Sequence, residues 1–147
     1  MNDRLQAIAD ELQAAPTELQ IEILLEHARR FPALPPRFQA ARDAGLGRIH
    51  ECMAEVYFFP EVVDGAVRIH ADIPGDAPTQ RALVGLLMDA YDGATPADVA
   101  AIPDDLLQRL GLARLLGMQR QQGFGGVLAR LKHGVAQAAA GTEPDAA

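Results

Sequence analysis

The hydrophobic period of this sequence breaks once, and that break constrains the fold more than any other feature. Most of the chain repeats at helical spacing, whereas Val56-Tyr57-Phe58-Phe59 and Val67-Arg68-Ile69-His70-Ala71 are rich in β-branched and aromatic residues and read as strands. Between them stands Asp64-Gly65, a pair suited to the left-handed positions of a tight hairpin turn. A two-residue turn there predicts a register: Val62 faces Val67, Glu61 faces Arg68, Phe59 faces His70 and Phe58 faces Ala71. One face then carries Phe58, Pro60, Val62, Val67, Ile69 and Ala71, and the other a Glu61–Arg68 cross-strand pair. Pro60 has no N–H for a ladder, so its nitrogen should point away from the partner strand.

The flanking segments are helical in pattern. Leu5, Ile8, Ala9 and Leu12 stripe a short first helix that Pro16 ends. Thr17-Glu18-Leu19-Gln20 has the form of a capping box. The helix it opens turns Leu19, Ile23, Leu24 and Ala28 inward and leaves Glu26 and Arg30 on the wet side. Prolines at 32, 35 and 36 stop it. A short helix follows near residues 37–42, and Gly45-Leu46-Gly47 loosens the backbone after it. Leu83, Leu86, Leu87, Ala90 and Tyr91 stripe a core helix with Gly93 as its left-handed stop. Thr95-Pro96-Ala97-Asp98 reads as an N-cap, a first-turn proline and an early carboxylate. Pro103 opens a short helix with Leu106, Leu107 and Leu110 inward and Gly111 at its close. Phe124, Val127, Leu128, Leu131 and Val135 stripe the last helix. Gly123-Phe124-Gly125-Gly126 lacks the frame and lysine of a phosphate loop and reads as loose backbone where that helix begins. The expected architecture is α+β, with helices packed on a small antiparallel sheet. Residues 1–140 form one domain in this reading, and residues 141–147 a flexible tail.

Composition narrows the function. The chain has 147 residues, enough for one core, and is 49% hydrophobic but only 5% aromatic. Its net charge of -7 leaves no basic patch, so a nucleic-acid partner is not expected. An acidic balance suits docking onto a basic partner surface. There is no signal-peptide pattern and no apolar run of membrane-spanning length, so no membrane association is expected. One cysteine excludes an internal disulfide framework and a Cys-rich metal or cluster site held by this chain alone. The expected compartment is the reducing cytoplasm.

That cysteine, Cys52, is the candidate for chemistry. A lone cysteine is most often a small buried hydrophobe, but Cys52 follows a glycine-containing loop and has His50 and Glu51 beside it. It precedes the first strand, where a loop can be held out from a rigid scaffold. An accessible thiolate there can attack a persulfide and later surrender the outer sulfur. Glu51 should raise the thiol pKa. His50, two residues away in an extended segment, would share a side with Cys52 and is a candidate proton partner. A sheltered resting thiol is expected, with Gly45 and Gly47 as flexible points and Met53 and Val56 lining a shallow recess. Three other readings stay open: an inert interaction domain, a Cys–His hydrolase using His50 or His70, and a metal site from His50, Glu51, Cys52 and His70. The hydrolase lacks a recognisable signature, and the metal site lacks tight ligand spacing.

Several segments, taken in order, resemble the SufE family of cysteine-desulfurase partners over about residues 19–135. They are Cys52 ahead of the hairpin, Gly85-Leu86-Leu87 through Tyr91-Asp92-Gly93-Ala94-Thr95-Pro96-Ala97-Asp98-Val99, Leu110-Gly111-Leu112, and Arg120-Gln121-Gln122-Gly123-Phe124. The resemblance implies a SufE/IscU-like fold with the cysteine at a loop tip. It implies that Cys52 takes persulfide sulfur from a SufS-like desulfurase, stimulates it, and passes the sulfur to a SufBCD-like iron–sulfur scaffold complex. No cofactor is expected on this chain, since pyridoxal phosphate belongs to the partner. His50, Glu51, Met53 and Arg120 are the expected partner-facing residues, although a helix-start arginine can equally be plain solvated surface. The chain departs from the family pattern at Glu51 and Met53, where a small or polar pair usually flanks the cysteine. It departs again at Met118, in place of a proline ahead of Arg120.

Overall fold

The computed structural model describes residues 1–141. In chain order its elements are α1 (Asp3–Ala14), α2 (Thr17–Arg29), α3 (Pro36–Asp43), β1 (Tyr57–Val63), β2 (Ala66–Asp72), α4 (Pro78–Tyr91), α5 (Pro96–Ala100), α6 (Leu106–Arg109) and α7 (Met118–Ala139). A 3₁₀ turn, Ala113–Leu115, precedes α7. The expected tail beyond Gly141 lies outside the described residues.

The two strands pair antiparallel in the register that the turn demands, with Val62 opposite Val67, Glu61 opposite Arg68 and Phe58 opposite Ala71. Asp64 and Gly65 both take positive φ, 51° and 78°, as a primed hairpin turn requires. Phe58, Val67, Ile69 and Ala71 are buried on one face, against α7 and α4. The other face is covered by α3, where Phe38 stacks on Phe59 at 5.1 Å and on His70 at 4.7 Å.

Glu61 and Arg68 are cross-strand neighbours without forming the expected pair. Arg37 reaches down from α3 to hold both Glu61 oxygens, and His70 takes the same carboxylate at 2.9 Å. A planar guanidinium meeting both oxygens outcompetes a single cross-strand contact. Arg68 turns instead to Asp92 at 3.4 Å.

The outer edges of the hairpin are occupied by loops. On the β2 side, Val67 N–H donates to the Ala94 carbonyl (2.8 Å), Gly93 N–H to the Val67 carbonyl (2.6 Å), and Ile69 N–H to Asp92 Oδ1 (3.0 Å). On the β1 side, Phe58 N–H donates to the Gly47 carbonyl at 2.9 Å. Pro60 lies two residues on, so its nitrogen points outward in the same way.

Helix α4 is the core element. Every residue from 82 to 88 is buried, the pattern of a helix covered on all sides. Gly85 lets it touch α2, since a Cβ there would sit 2.7 Å from the His27 carbonyl oxygen. His27 is therefore the inward residue of α2 together with Leu24, while Leu19 is 50% exposed, contrary to the expected stripe. Four residues separate Leu19 from Ile23 and eight from His27, so drift of the 3.6-residue period and the early start of the helix carry it off the contact face.

Two more boundaries moved. Thr17 is the first helical residue of α2, behind an N-cap of Pro16 that makes no side-chain bond, so the capping box does not form. Gln20 instead donates to the Leu12 carbonyl at 2.8 Å and ties α2 to α1. Thr95 does form its box, reciprocally with Asp98. The glycine-rich run 123–126 lies inside α7, which starts at Met118, rather than at its entry.

Candidate functional site

The loop that carries Cys52 is built between two fixed points. Helix α3 ends in a left-handed Gly45 (φ 83°), with Gly45 N–H donating to the Arg42 carbonyl and Leu46 N–H to the Ala41 carbonyl, a Schellman stop. Gly47 (φ 76°) is pinned, because its carbonyl accepts from Phe58 and a Cβ would fall 2.7 Å from Phe59 Cζ. Neither glycine is the flexible point that was expected; both anchor the backbone. The free segment begins later, where Ile49 N–H donates to the Val56 carbonyl at 2.9 Å and both side chains are buried.

Within this neck the chain turns rather than extends. Cys52 N–H donates to the Ile49 carbonyl at 3.2 Å, which puts His50 and Glu51 at the turn's two central positions. Both are exposed, while Cys52 turns inward and is 7% exposed. The extended geometry that would have set His50 beside the thiol is absent, and no hydrogen bond joins them.

Two glycines of α7 receive the turn. Built onto Gly123, a Cβ would lie 2.9 Å from Cys52 Sγ, and on Gly126 it would lie 2.7 Å from Glu51 Cδ and 2.9 Å from Glu51 Cβ. The thiol borders a cavity of about 500 Å³ between the loop, α4 and α7, whose apolar walls include Val56, Leu83, Val84, Phe124 and Val127. Met53 and Val56 both line it, as the sequence led us to expect. Burial raises the thiol pKa, Glu51 raises it further, and Arg48 opposes them.

The rim is soft and cationic. Met53 and Met118 are 76% and 75% exposed, and Arg120 lines the cavity mouth with Gln80 and Gln119. Gln121 stitches the approach to α7 by donating to the Ala113 and Leu116 carbonyls. Among the described residues, Arg114 and Arg120 are the arginines whose side chains hold neither a hydrogen bond nor an ion pair.

His70 is engaged with Glu61 and Arg37 on the α3 face of the hairpin, opposite the face toward the cavity. A Cys52–His70 dyad is thereby ruled out, and with His50 turned to solvent the hydrolase geometry is missing. Among the described residues no three His, Cys, Asp or Glu side chains gather as metal ligands. No described helix is long and apolar enough to cross a membrane.

A family model for SufE, the Fe-S metabolism associated domain, matches residues 6–135. The chain belongs to the SufE family. An uncharacterized SufE-like protein of Mycobacterium tuberculosis, found in two strains, is 32% identical over 120 residues, covering 81% of this chain and 82% of that protein. A second uncharacterized SufE-like protein, from Synechocystis, is 29% identical over 91 residues, with 62% and 55% covered. The solution structure of a hypothetical protein from Thermus thermophilus superposes with a TM-score of 0.83 at 30% identity, covering 93% of this chain and 96% of that one. SufE-family membership associates the chain with Fe–S metabolism and agrees with the helix-on-hairpin fold.

The family-like residues separate into two jobs. Asp92, Gly93 and Ala94 close the β2 edge, and Gly85 seats α2; these are structural. Cys52, Gly123 and Phe124 meet at the cavity. Gly126 was read only as helix-entry backbone, and its contact with the loop was missed, although a signal was present: glycine is a costly choice inside a helix, by about 1 kcal/mol against alanine, and marks close approach of a neighbour.

Proposed function

We propose that this SufE-family chain is a sulfur carrier that takes persulfide sulfur from a pyridoxal-phosphate cysteine desulfurase onto Cys52 and delivers it to an iron–sulfur cluster scaffold. One observation carries this reading: the lone thiol sits on the turn of a narrow-necked loop and borders an apolar cavity that its own packing does not fill. A core thiol would be held by an element on each side and would have no such space beside it.

The chemistry is thiol–persulfide exchange. The Cys52 thiolate attacks the terminal sulfur of the partner's persulfide. That sulfur's bond to the partner cysteine breaks, the partner thiolate leaves and takes up a proton, and a new S–S bond joins the sulfur to Cys52. One S–S bond is exchanged for another, so no outside oxidant is needed. The desulfurase cofactor performs the carbon–sulfur cleavage; this chain accepts, covers and passes on the sulfur. Met53, Met118 and Arg120, with His50 and Glu51 on the exposed side of the turn, form the partner-facing rim. A reducing cytoplasm suits a carrier with one thiol.

Sulfide release from cysteine by the organism's own desulfurase, with and without this chain, tests the proposal. The wild type is expected to stimulate release, and Cys52→Ser, folded, to give none. Equal stimulation by the serine variant overturns it. The inert-domain alternative predicts no stimulation by either.

A further inference from the structure

We propose that Gly123 and Gly126 are positioning residues that hold the thiol in its covered state, by accepting Cys52 and Glu51 where α7 carries no Cβ. The two glycines stand one turn apart on one face of the helix, and the two consecutive loop residues fall against them. The backbone does little of this work. Between the Ile49–Val56 neck, the internal bonds are Cys52 N–H to Ile49 and Val56 N–H to Ala54, and both bind the loop to itself rather than to α7. Arg130 of α7 donates to the Arg48 carbonyl at 3.3 Å, just before the neck; beyond the neck, what joins the loop to the helix is side-chain seating.

The two contacts differ in kind. At Gly123 the near atom is Sγ, the end of a side chain that can rotate, with Cys52 Cα at 3.5 Å. At Gly126 the near atoms include Glu51 Cβ at 2.9 Å, which is fixed to the loop backbone, so an added methyl must lift the turn. Gly125, between them, is exposed, and a Cβ there meets nothing within 4 Å. Glycine-to-alanine replacement favours the helical state at all three positions. Helix content and loop closure should therefore respond independently. The consequence for sulfur transfer, a thiol uncovered before any partner arrives, rests on the carrier reading; the seat itself does not.

Alkylation of Cys52 in the native protein by a small neutral reagent measures the seat without any partner. Gly126→Ala is expected to react about tenfold faster than wild type, as overpacking shifts the loop toward its open state. Gly123→Ala is expected to react faster as well, and Gly125→Ala at the wild-type rate, all three with undiminished helical circular dichroism. Should Gly126→Ala not fold, Glu51→Ala removes from the loop side the part of the side chain beyond Cβ that lies on Gly126, Cδ included. Glu51→Gln, which keeps the shape and drops the charge, separates packing from electrostatics, so Glu51→Ala must exceed it. Equal rates for Gly126→Ala and Gly125→Ala, or for Glu51→Ala and Glu51→Gln, overturn the proposal. Faster alkylation of Gly126→Ala combined with a wild type that stimulates no desulfurase would keep the seat and discard the carrier.

Discussion

Two neighbours decide how readily Cys52 ionises once burial has set the starting point. Burial is the larger cause of the raised pKa, Glu51 adds to it, and Arg48 works against both. The directions give an opposed pair of predictions. Glu51→Gln should lower the pH at which alkylation is half-maximal, and Arg48→Gln should raise it; movement of both in one direction would contradict this electrostatic picture. Linkage follows the same sign. Because the folded-state pKa lies above the unfolded one, the stability tied to the neutral thiol is fully present below the ordinary cysteine range. It is lost as pH rises through the raised value. Cys52→Ser removes that contribution, so its stability should fall less steeply than that of wild type on the alkaline side, measured by urea midpoints across pH.

At the scale of elements, the two threonines that resemble caps in sequence are expected to behave differently. Thr95→Ala removes an N-cap bond and its reciprocal partner Asp98, and should cost about 1 kcal/mol. Thr17→Ala removes no such bond and should leave the urea midpoint nearly unchanged, since alanine is also the better helix former. Gly65→Ala, at φ 78°, should cost about 1–2 kcal/mol for placing a Cβ in the left-handed region. This contrast shows which elements were legible. Local rules predicted the hairpin, because the Asp64-Gly65 turn and the period of two leave a single register with one apolar face. They also found the Thr95 cap, where proline at the next position secures the start. Thr17 failed because Pro16 already occupies the cap, so the box pattern was displaced by one residue. The ends of α7, the Arg37–Glu61 contact and the Gly126 seat depend on which elements meet in space, and no local spacing contains that. Cys52 was singled out from its neighbours, but its inward turn, with His50 outward, followed from a backbone hydrogen bond that composition does not signal.

The whole molecule is polarised more than its total charge suggests. From residue 106 to 141 the chain has Arg109, Arg114, Arg120, Arg130 and Lys132 and no carboxylate, within a chain whose net charge is -7. Arg109 and Lys132 are matched to Asp105 and Asp104, whereas Arg114 and Arg120 have no such match among the described residues. The total favoured a basic partner surface; the cavity rim favours acidic groups on whatever docks there. Under the carrier reading, Arg114→Glu and Arg120→Glu should each raise the concentration giving half-maximal desulfurase stimulation several-fold. Added salt should weaken wild type in the same assay, while Arg29→Glu, on α2, should have no effect. Unchanged titrations for both arginine variants would point to a docking face elsewhere. The sheathed hairpin adds a constraint of another sort. An open strand edge invites a guest strand, whether from a client peptide, a swapped copy of the same protein or a growing fibril. Here the Gly47 carbonyl and the 92–94 loop already occupy those edges, and Pro60 offers no donor. Along those stretches strand addition is blocked, which favours a partner chosen by side-chain shape and charge, at surfaces that, under the carrier reading, can release it again once the cargo has moved.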